Sequence, residues 1–212
     1  MQKLAPLFAL LCFPLALAGE PPPAGTAVQA GQGILLGKVR PQLKSLKKTD
    51  LTLEFWIRPD QATVARPRTL LWLFSNKRGS DVAGIGLSTS AGKLQANVLG
   101  SRLSSPAPMP ADEWTHACLT IDTRRLNKVA TLWINGRRID RTLVPHRWPE
   151  GFFYTRLMTD PWGQNRLFSG QAGPVRISTE VLYQQAFTPE SAWKPADSTL
   201  LLLQPDQIRL SR

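Results

Sequence analysis

Cysteine is nearly missing from this chain of 212 residues, which carries only Cys12 and Cys118. Cys12 falls in an N-terminal apolar run, so the rest of the chain has one thiol and no internal disulfide. An exported animal module would more often carry a pair, so a bacterial source fits better. Cys118 lies in mid-strand by pattern, where a buried cysteine acts as a small apolar residue; a reactive thiol is the alternative. No Cys/His metal spacing, Ser/His/Asp order or Gly-rich phosphate loop occurs. No predicted strand holds an E/D-x-E/D pair: Asp112 and Glu113 are neighbours and would point to opposite faces, and Glu54 stands alone. A glycosidase needs two carboxylates held a few ångströms apart, so that activity is not expected. No apolar stretch approaches the ~20 residues of a spanning helix, and no internal repeat is visible. Helix is scarce too, its one candidate being Thr188-Pro189-Glu190-Ser191-Ala192, with threonine as cap and proline in the first turn.

The N-terminus reads as an export signal. Lys3 precedes the apolar run Leu4 to Leu17, and Ala16-Leu17-Ala18 predicts cleavage before Gly19. Ala9-Leu10-Leu11 lacks the small residue a lipoprotein site wants before Cys12, and a retained signal anchor is the alternative. Residues 19–33 are Pro/Gly/Ala-rich and predict a flexible lead. Residues 34–212 then form a single domain, part of a mature chain of roughly 190 residues that can bury a sizeable core. The expected location is secreted or periplasmic.

The net charge is +11, with basic knots such as Lys44/Lys47/Lys48, Arg124/Arg125/Lys128 and Arg137/Arg138/Arg141/Arg147. That field would draw polyanions, whether acidic polysaccharide, lipopolysaccharide phosphate or nucleic acid, with strong salt dependence. No motif for specific nucleic-acid readout accompanies it. Solvated charges in turns are the plainer reading.

What is abundant is period-2 alternation. Leu51, Leu53, Phe55 and Ile57 alternate up to Pro59-Asp60, and Leu70 to Phe74 is a continuous apolar run. Leu94, Ala96 and Val98 follow the Ala91-Gly92 turn. From Trp114 to Asp140 the pattern is a meander: Ala117, Leu119 and Ile121, a charged loop, then Ala130, Leu132 and Ile134 ending in Asn135-Gly136. Ser104 to Pro110 predicts a proline-broken loop, Leu143 to Gly163 an irregular aromatic stretch, and Leu200 to Leu203 a strand buried on both faces. Many short strands with regular turns make an all-β antiparallel sandwich or jelly roll.

The same segments carry a family likeness. E-W-T-H-A-C-L-T-I-D (113–122) resembles the W-H-H-V-A-V-T-Y-D strand of laminin G-like, concanavalin A-like jelly rolls, and L-W-I-N-G (132–136) resembles their L-Y-V-D-G strand. L-T-L-E-F-W-I-R-P-D (51–60) is similar to F-T-I-S-A-W-V-K-P. G-I-G-L-S-T-S-A-G-K-L (84–94) resembles their G-L-G-L-S-x-x-G-K-L hairpin, and F-S-G-Q-A-G-P-V-R-I-S (168–178) resembles F-x-G-x-I-D-E-V-R-I-S. The likeness covers about 51–204 and implies a concanavalin A-like (laminin G-like) sandwich. Ala172-Gly173-Pro174 stands where the family has I-D-E, so no role of those acids is carried over.

Parity also nominates a surface. Opposite the core positions lie Trp56 (with Glu54), His116, Trp133, Gln95, Asn97 and Arg176. Indole faces plus hydrogen-bonding groups on a concave sheet suit sugars; the alternative is a second small core under covering loops. Trp148 and Trp162 are candidate loop aromatics, and Trp114 is assigned to the core. No cofactor or metal is expected; for calcium the candidate ligands are Asp81, Asp160 and loop carbonyls, against the alternative that such acids cap turns. The reading is a non-catalytic, lectin-like module binding a polysaccharide or other envelope polyanion. A structural or adhesive jelly roll binding another envelope protein is the alternative, and a polysaccharide lyase using His116, Tyr154 and Arg176 ranks third.

Overall fold

Alternating apolar residues force this chain into strands, since a period of two puts one whole set of side chains on one face. The computed structural model describes residues 25–29, 33–34, 49–65, 67–74, 84–124, 126–144, 154–158 and 168–211. Its strands, in chain order, begin with β1 (Thr26–Val28), β2 (Gly33–Ile34), β3 (Leu51–Pro59), β4 (Arg68–Phe74) and β5 (Gly84–Ser90). They continue through β6 (Lys93–Val98), β7 (Ser101–Pro108), β8 (Thr115–Asp122), β9 (Val129–Ile134) and β10 (Arg137–Leu143). The last are β11 (Tyr154–Leu157), β12 (Gly170–Ser178), β13 (Thr199–Leu203) and β14 (Leu210–Ser211). A short helix α1 (Gln61–Ala65) and a 3-10 turn η1 (Pro205–Gln207) complete the elements.

Two antiparallel sheets face each other. One runs β1-β12-β3-β8-β9-β10, with β13 also on β12; the other runs β14-β2-β11-β4-β5-β6-β7. Between them lie Leu53, Phe55, Ile57, Leu119, Leu132 and Ile177 from the first sheet, against Leu71, Leu73, Ile85, Leu87, Ala96 and Val98 from the second. Each fully buried large side chain contributes about 1.5–3 kcal/mol, so this layer holds the fold together. The fold is the all-β, concanavalin A-like sandwich that the alternation and the family likeness imply.

The turns follow their residues. Asn135 (φ 49°) and Gly136 (φ 74°) are both left-handed, as are Ala91 (φ 49°) and Gly92 (φ 74°). That is the type I′ geometry which matches strand twist in two-residue hairpins.

Several expectations are corrected. The lead is ordered in part: β1 pairs with Gly170–Ala172 of β12 and sinks Val28 into the core. Ser101–Pro108 is strand β7 rather than a loop; it lies at the end of its sheet's strand order, where proline's missing N–H costs little. The stretch 143–163 includes β11, paired with β4. Leu200–Leu203 lies in β13 but is not buried on both faces, since among the described residues β13 pairs only with β12 and Leu201 alone is classed as buried. No helix forms at 188–192. The helix stands at Gln61–Ala65, where the Asp60 carboxylate accepts a hydrogen bond from the Thr63 N–H at 2.7 Å.

Candidate ligand-binding surface

The outer face of the first sheet carries the non-core parity of β3, β8, β9 and β12. Cross-strand register brings Trp56 opposite His116, Glu54 opposite Cys118 and Arg176, and Cys118 opposite Trp133. Trp56, His116, Trp133 and Arg176 therefore share one face. Gln95 and Asn97 do not join them: β6 belongs to the other sheet, and both residues sit half-buried on its outward side. The Asn97 Oδ1 there accepts the Gly100 N–H at 3.1 Å and stabilises the β6–β7 turn. Trp148, Trp162, Asp81 and Asp160 lie outside the described residues. Trp114, assigned to the core by pattern, stands just before β8 and is only half-buried, outside the core cluster.

The shared face is covered. Residues 180–193 cross it as a strap, leaving Trp56 1% exposed, Trp133 2% and His116 0%. Phe187 meets His116 edge-on at 5.7 Å and Trp133 at 5.8 Å, while Trp193 meets His116 at 5.8 Å. Tyr183 stacks on Phe187 at 3.5 Å with planes 5° apart. The strap's backbone is tied down: the Trp56 Nε1–H donates to the Glu190 carbonyl at 2.9 Å, the Phe187 N–H to Gly136 at 3.0 Å, and the Leu182 N–H to the Thr52 hydroxyl at 3.1 Å. These bonds hold Phe187 and Glu190 in an irregular path, which is why the helix signal at 188–192 is overridden. Trp56 and His116 thus belong to a second core, and no sugar ring reaches them in this arrangement.

At the centre of that core lies Glu54, fully buried. Its Oε1 accepts from Arg176 Nε at 2.7 Å and lies 2.6 Å from Nη2 in the same ion pair. Its Oε2 accepts from the Tyr183 hydroxyl at 3.0 Å and faces His116 Nε2 at 3.1 Å. In the last contact His116 Nε2 is the donor, since a carboxylate only accepts, and Nδ1 has no hydrogen-bond partner. Arg176 Nη2 also reaches the Tyr183 oxygen at 3.0 Å, and its guanidinium lies 4.8 Å from the Trp193 ring centre. Burial first, then the Glu54 charge, pushes the Tyr183 phenol far above its ordinary value of 10.0, so it stays a donor. The Cys118 thiol is raised for the same two reasons, burial leading, and it is inert in the fold. A buried network of this kind orients and stabilises the strap, and Glu54 and His116 at its centre are both shut off from solvent.

Beyond the strap the face carries a pocket of about 150 Å³, backed by the buried Thr120, Thr131 and Trp133 and lined also by Asp122 and Val129. Arg138 and Arg141 of β10 bound one side, and Tyr183 and Gln184 of the strap the other. Trp133 Nε1–H donates to the Thr120 oxygen at 3.0 Å, which leaves that hydroxyl's own proton for another acceptor. Arg138 and Arg141 were visible in the sequence only as part of a basic knot. The strap residues carried no signal for their place, since Tyr183, Phe187 and Trp193 lie far in sequence from what they cover. Among the described residues no group of three His, Cys, Asp or Glu is placed to hold a metal, and no helix is long and apolar enough to cross a membrane.

Residues 35–186 match the Laminin_G_3 family model, described as concanavalin A-like lectin/glucanases superfamily. The chain belongs to that superfamily. Superfamily likeness extends to solved structures. A candidate carbohydrate-binding protein from Bacteroides ovatus aligns with TM-score 0.57 and 14% identity over 84% of this chain and 52% of that one. The present chain thus spans about half of the Bacteroides protein's length. The CBM40 module of the Ruminococcus gnavus IT-sialidase, bound to α2,3-sialyllactose, aligns with TM-score 0.58 and 16% identity over 75% of this chain and 91% of the module. The leech intramolecular trans-sialidase gives 0.59 and 14% over 75% of this chain and 26% of the enzyme. At these identities the likeness establishes the fold alone. No curated protein sequence matches the chain.

Proposed function

We propose that this chain is an exported, non-catalytic glycan-binding module of the cell envelope, and that it binds on the uncovered part of the first sheet's outer face. One observation carries the reading: the pocket beside Trp133 combines the half-buried Tyr183 ring with threonine, glutamine and arginine side chains. Sugars need that mixture, with C–H faces against rings and hydroxyls against paired polar groups. The net charge of +11 favours acidic glycans as the class drawn in. A binding role rather than a reaction is supported by Glu54, whose two oxygens are already engaged and covered. The structural neighbours that bind carbohydrate and the apolar Leu4–Leu17 run with its Ala16-Leu17-Ala18 site support the remainder. Of the residues nominated by parity, Trp133 backs the pocket while itself buried, and Trp56 and His116 lie beneath the strap.

A glycan array with and without calcium tests this. Binding to at least one glycan class is expected, weakened by Gln184→Ala and Arg141→Ala. Silence across neutral and acidic glycans would refute it.

A second reading, a protein-interaction jelly roll, is favoured by one feature. Leu126 is 94% exposed and Leu143 62%, and they share a shallow surface with Asn127 and Arg141. Envelope fragments treated with periodate or with protease separate the two. Binding that survives periodate but not protease selects the protein reading.

A further inference from the structure

The pocket's charge is built by an irregularity in β10. In a regular strand, residues three apart point to opposite faces. With Arg138 opposite Trp133, unbroken pairing would set Asp140 opposite Thr131 and turn Arg141 toward the core. The observed register instead shifts between Arg138 and Asp140, so that Asp140 lies opposite Leu132 and Arg141 opposite Thr131. Ile139 is the extra residue of a β-bulge, the device by which a strand re-aims a side chain. The bulge keeps Asp140 off the outer face and places a second guanidinium on it, so that two arginines face the one acid lining the pocket, Asp122, which has an interaction of its own. Asp140 is used elsewhere: its Oδ2 accepts the Ser104 N–H of β7 at 2.9 Å and ties the two sheet edges together. Both arginines are exposed. Asp122 lines the same pocket, but neither Arg138 nor Arg141 is in an ion pair among the described residues.

From this we infer that Arg138 and Arg141 form a clamp for the carboxylate of an acidic sugar, so that the module selects carboxylated over neutral glycans. The inference rests on the glycan-binding reading above and names its ligand class. Guanidinium groups present planar forks that match a carboxylate with two parallel hydrogen bonds. The threonine floor and Gln184 then serve the ring hydroxyls. A pocket of about 150 Å³ is smaller than the ~300–1,000 Å³ of sites for drug-sized ligands, so it takes one ring carrying one acid, not a stretch of chain. The carboxylate can come from a uronic acid within a polymer or from a terminal nonulosonic acid, and the chemistry at the clamp is the same.

The test is isothermal titration of the full chain with oligogalacturonate and with sialyllactose, beside methyl-esterified oligogalacturonate and lactose. Binding to an acidic ligand, lost on esterification or desialylation, is expected, and the arm that binds identifies the source. Arg138→Ala and Arg141→Ala should each weaken it about tenfold, as removal of a charge-assisted hydrogen bond does. Arg138→Lys with Arg141→Lys keeps the charge but not the forks and should recover only part of the affinity. Arg102→Ala, an equal charge loss on the other sheet, should leave binding within about twofold. Neutral and acidic forms binding alike, or full affinity in the double lysine variant, overturns the clamp while leaving the module a glycan binder. No binding to any glycan overturns the functional reading itself.

Discussion

Replacing Arg176 by methionine isolates the electrostatics of the second core. Glu54 is fully buried, and Arg176, whose side chain is 11% exposed, supplies one of its hydrogen bonds and its guanidinium partner. Methionine keeps apolar contact with Trp193 but leaves the carboxylate with only the Tyr183 and His116 contacts. Breaking a buried ion pair from one side costs about 3–5 kcal/mol, because a charge is left behind in a dry site. The partial exposure of Arg176 lets water reach that end, so the lower figure, about 3 kcal/mol, is expected. At 2–4 °C per kcal/mol for a domain of this size, Tm falls by roughly 6–12 °C. Urea unfolding followed by tryptophan fluorescence should show the midpoint moving with the slope unchanged. The double variant Glu54→Gln/Arg176→Met removes the stranded charge and should regain at least about 1.5 kcal/mol of the loss, which a double-mutant cycle measures. If Arg176→Met unfolds within about 0.5 kcal/mol of the parent, the charge is not held as described and the closed network is wrong.

Further tests bear on the strap and on the first sheet's end. Gly136→Ala should cost more than about 2 kcal/mol: its φ of +74° disfavours a side chain, and the added Cβ would lie 1.7 Å from the Phe187 carbonyl oxygen. Limited proteolysis should then open first within 180–193; an unchanged cleavage pattern would contradict the seating of the strap on the Asn135-Gly136 turn. Burial alone would raise Asp60, but hydrogen bonds from Ser169 and Thr63 and the Arg68 charge outweigh it and hold its carboxyl below the ordinary 3.8. A depressed acid contributes stability that is present above its unfolded value and lost as pH falls through the folded one. Asp60→Asn should flatten the decline in Tm below about pH 4, and an identical acid limb in both proteins would refute that role. Cys118 should stay unreactive to a disulfide reagent until the chain unfolds, since its thiol is buried and raised; rapid labelling of the native protein would contradict this placement.

Strand parity was legible in the sequence because it follows from geometry alone. Leu53, Phe55 and Ile57 had to share a face, and Trp56, His116, Trp133 and Arg176 had to share the opposite one once β3, β8, β9 and β12 were neighbours. What parity could not reveal was membership: Gln95 and Asn97 have the same alternation but lie in the other sheet, since period two says nothing of strand order. Edge position rescued β7, whose prolines argued for a loop. At 188–192 the capping signal was real locally, yet hydrogen bonds to Trp56 and Gly136 from distant strands outweighed a single helical turn, which is unfavourable to nucleate on its own. Long-range covering of this kind has no pattern in a single chain.

The placement of the open site follows from that covering. A face bearing two indoles, an imidazole and a buried acid is too apolar to leave wet and too polar to bury without partners. The strap meets both needs at once, with Phe187 and Trp193 supplying apolar contact while Tyr183 and the Glu190 carbonyl accept or donate where Glu54 and Trp56 require it. Its cover ends at Tyr183 and Gln184, beside which Thr120, Asp122 and Thr131 line the pocket against a fixed wall. Pre-organisation comes from the buried network, because the Tyr183 ring that lines the pocket is held by its own bonds to Glu54 and Arg176. Weakening Glu54 should therefore loosen binding without touching the ligand. A larger effect of Glu54→Gln on affinity than on the Tm of the glycan-free chain would separate that positioning role from simple stability.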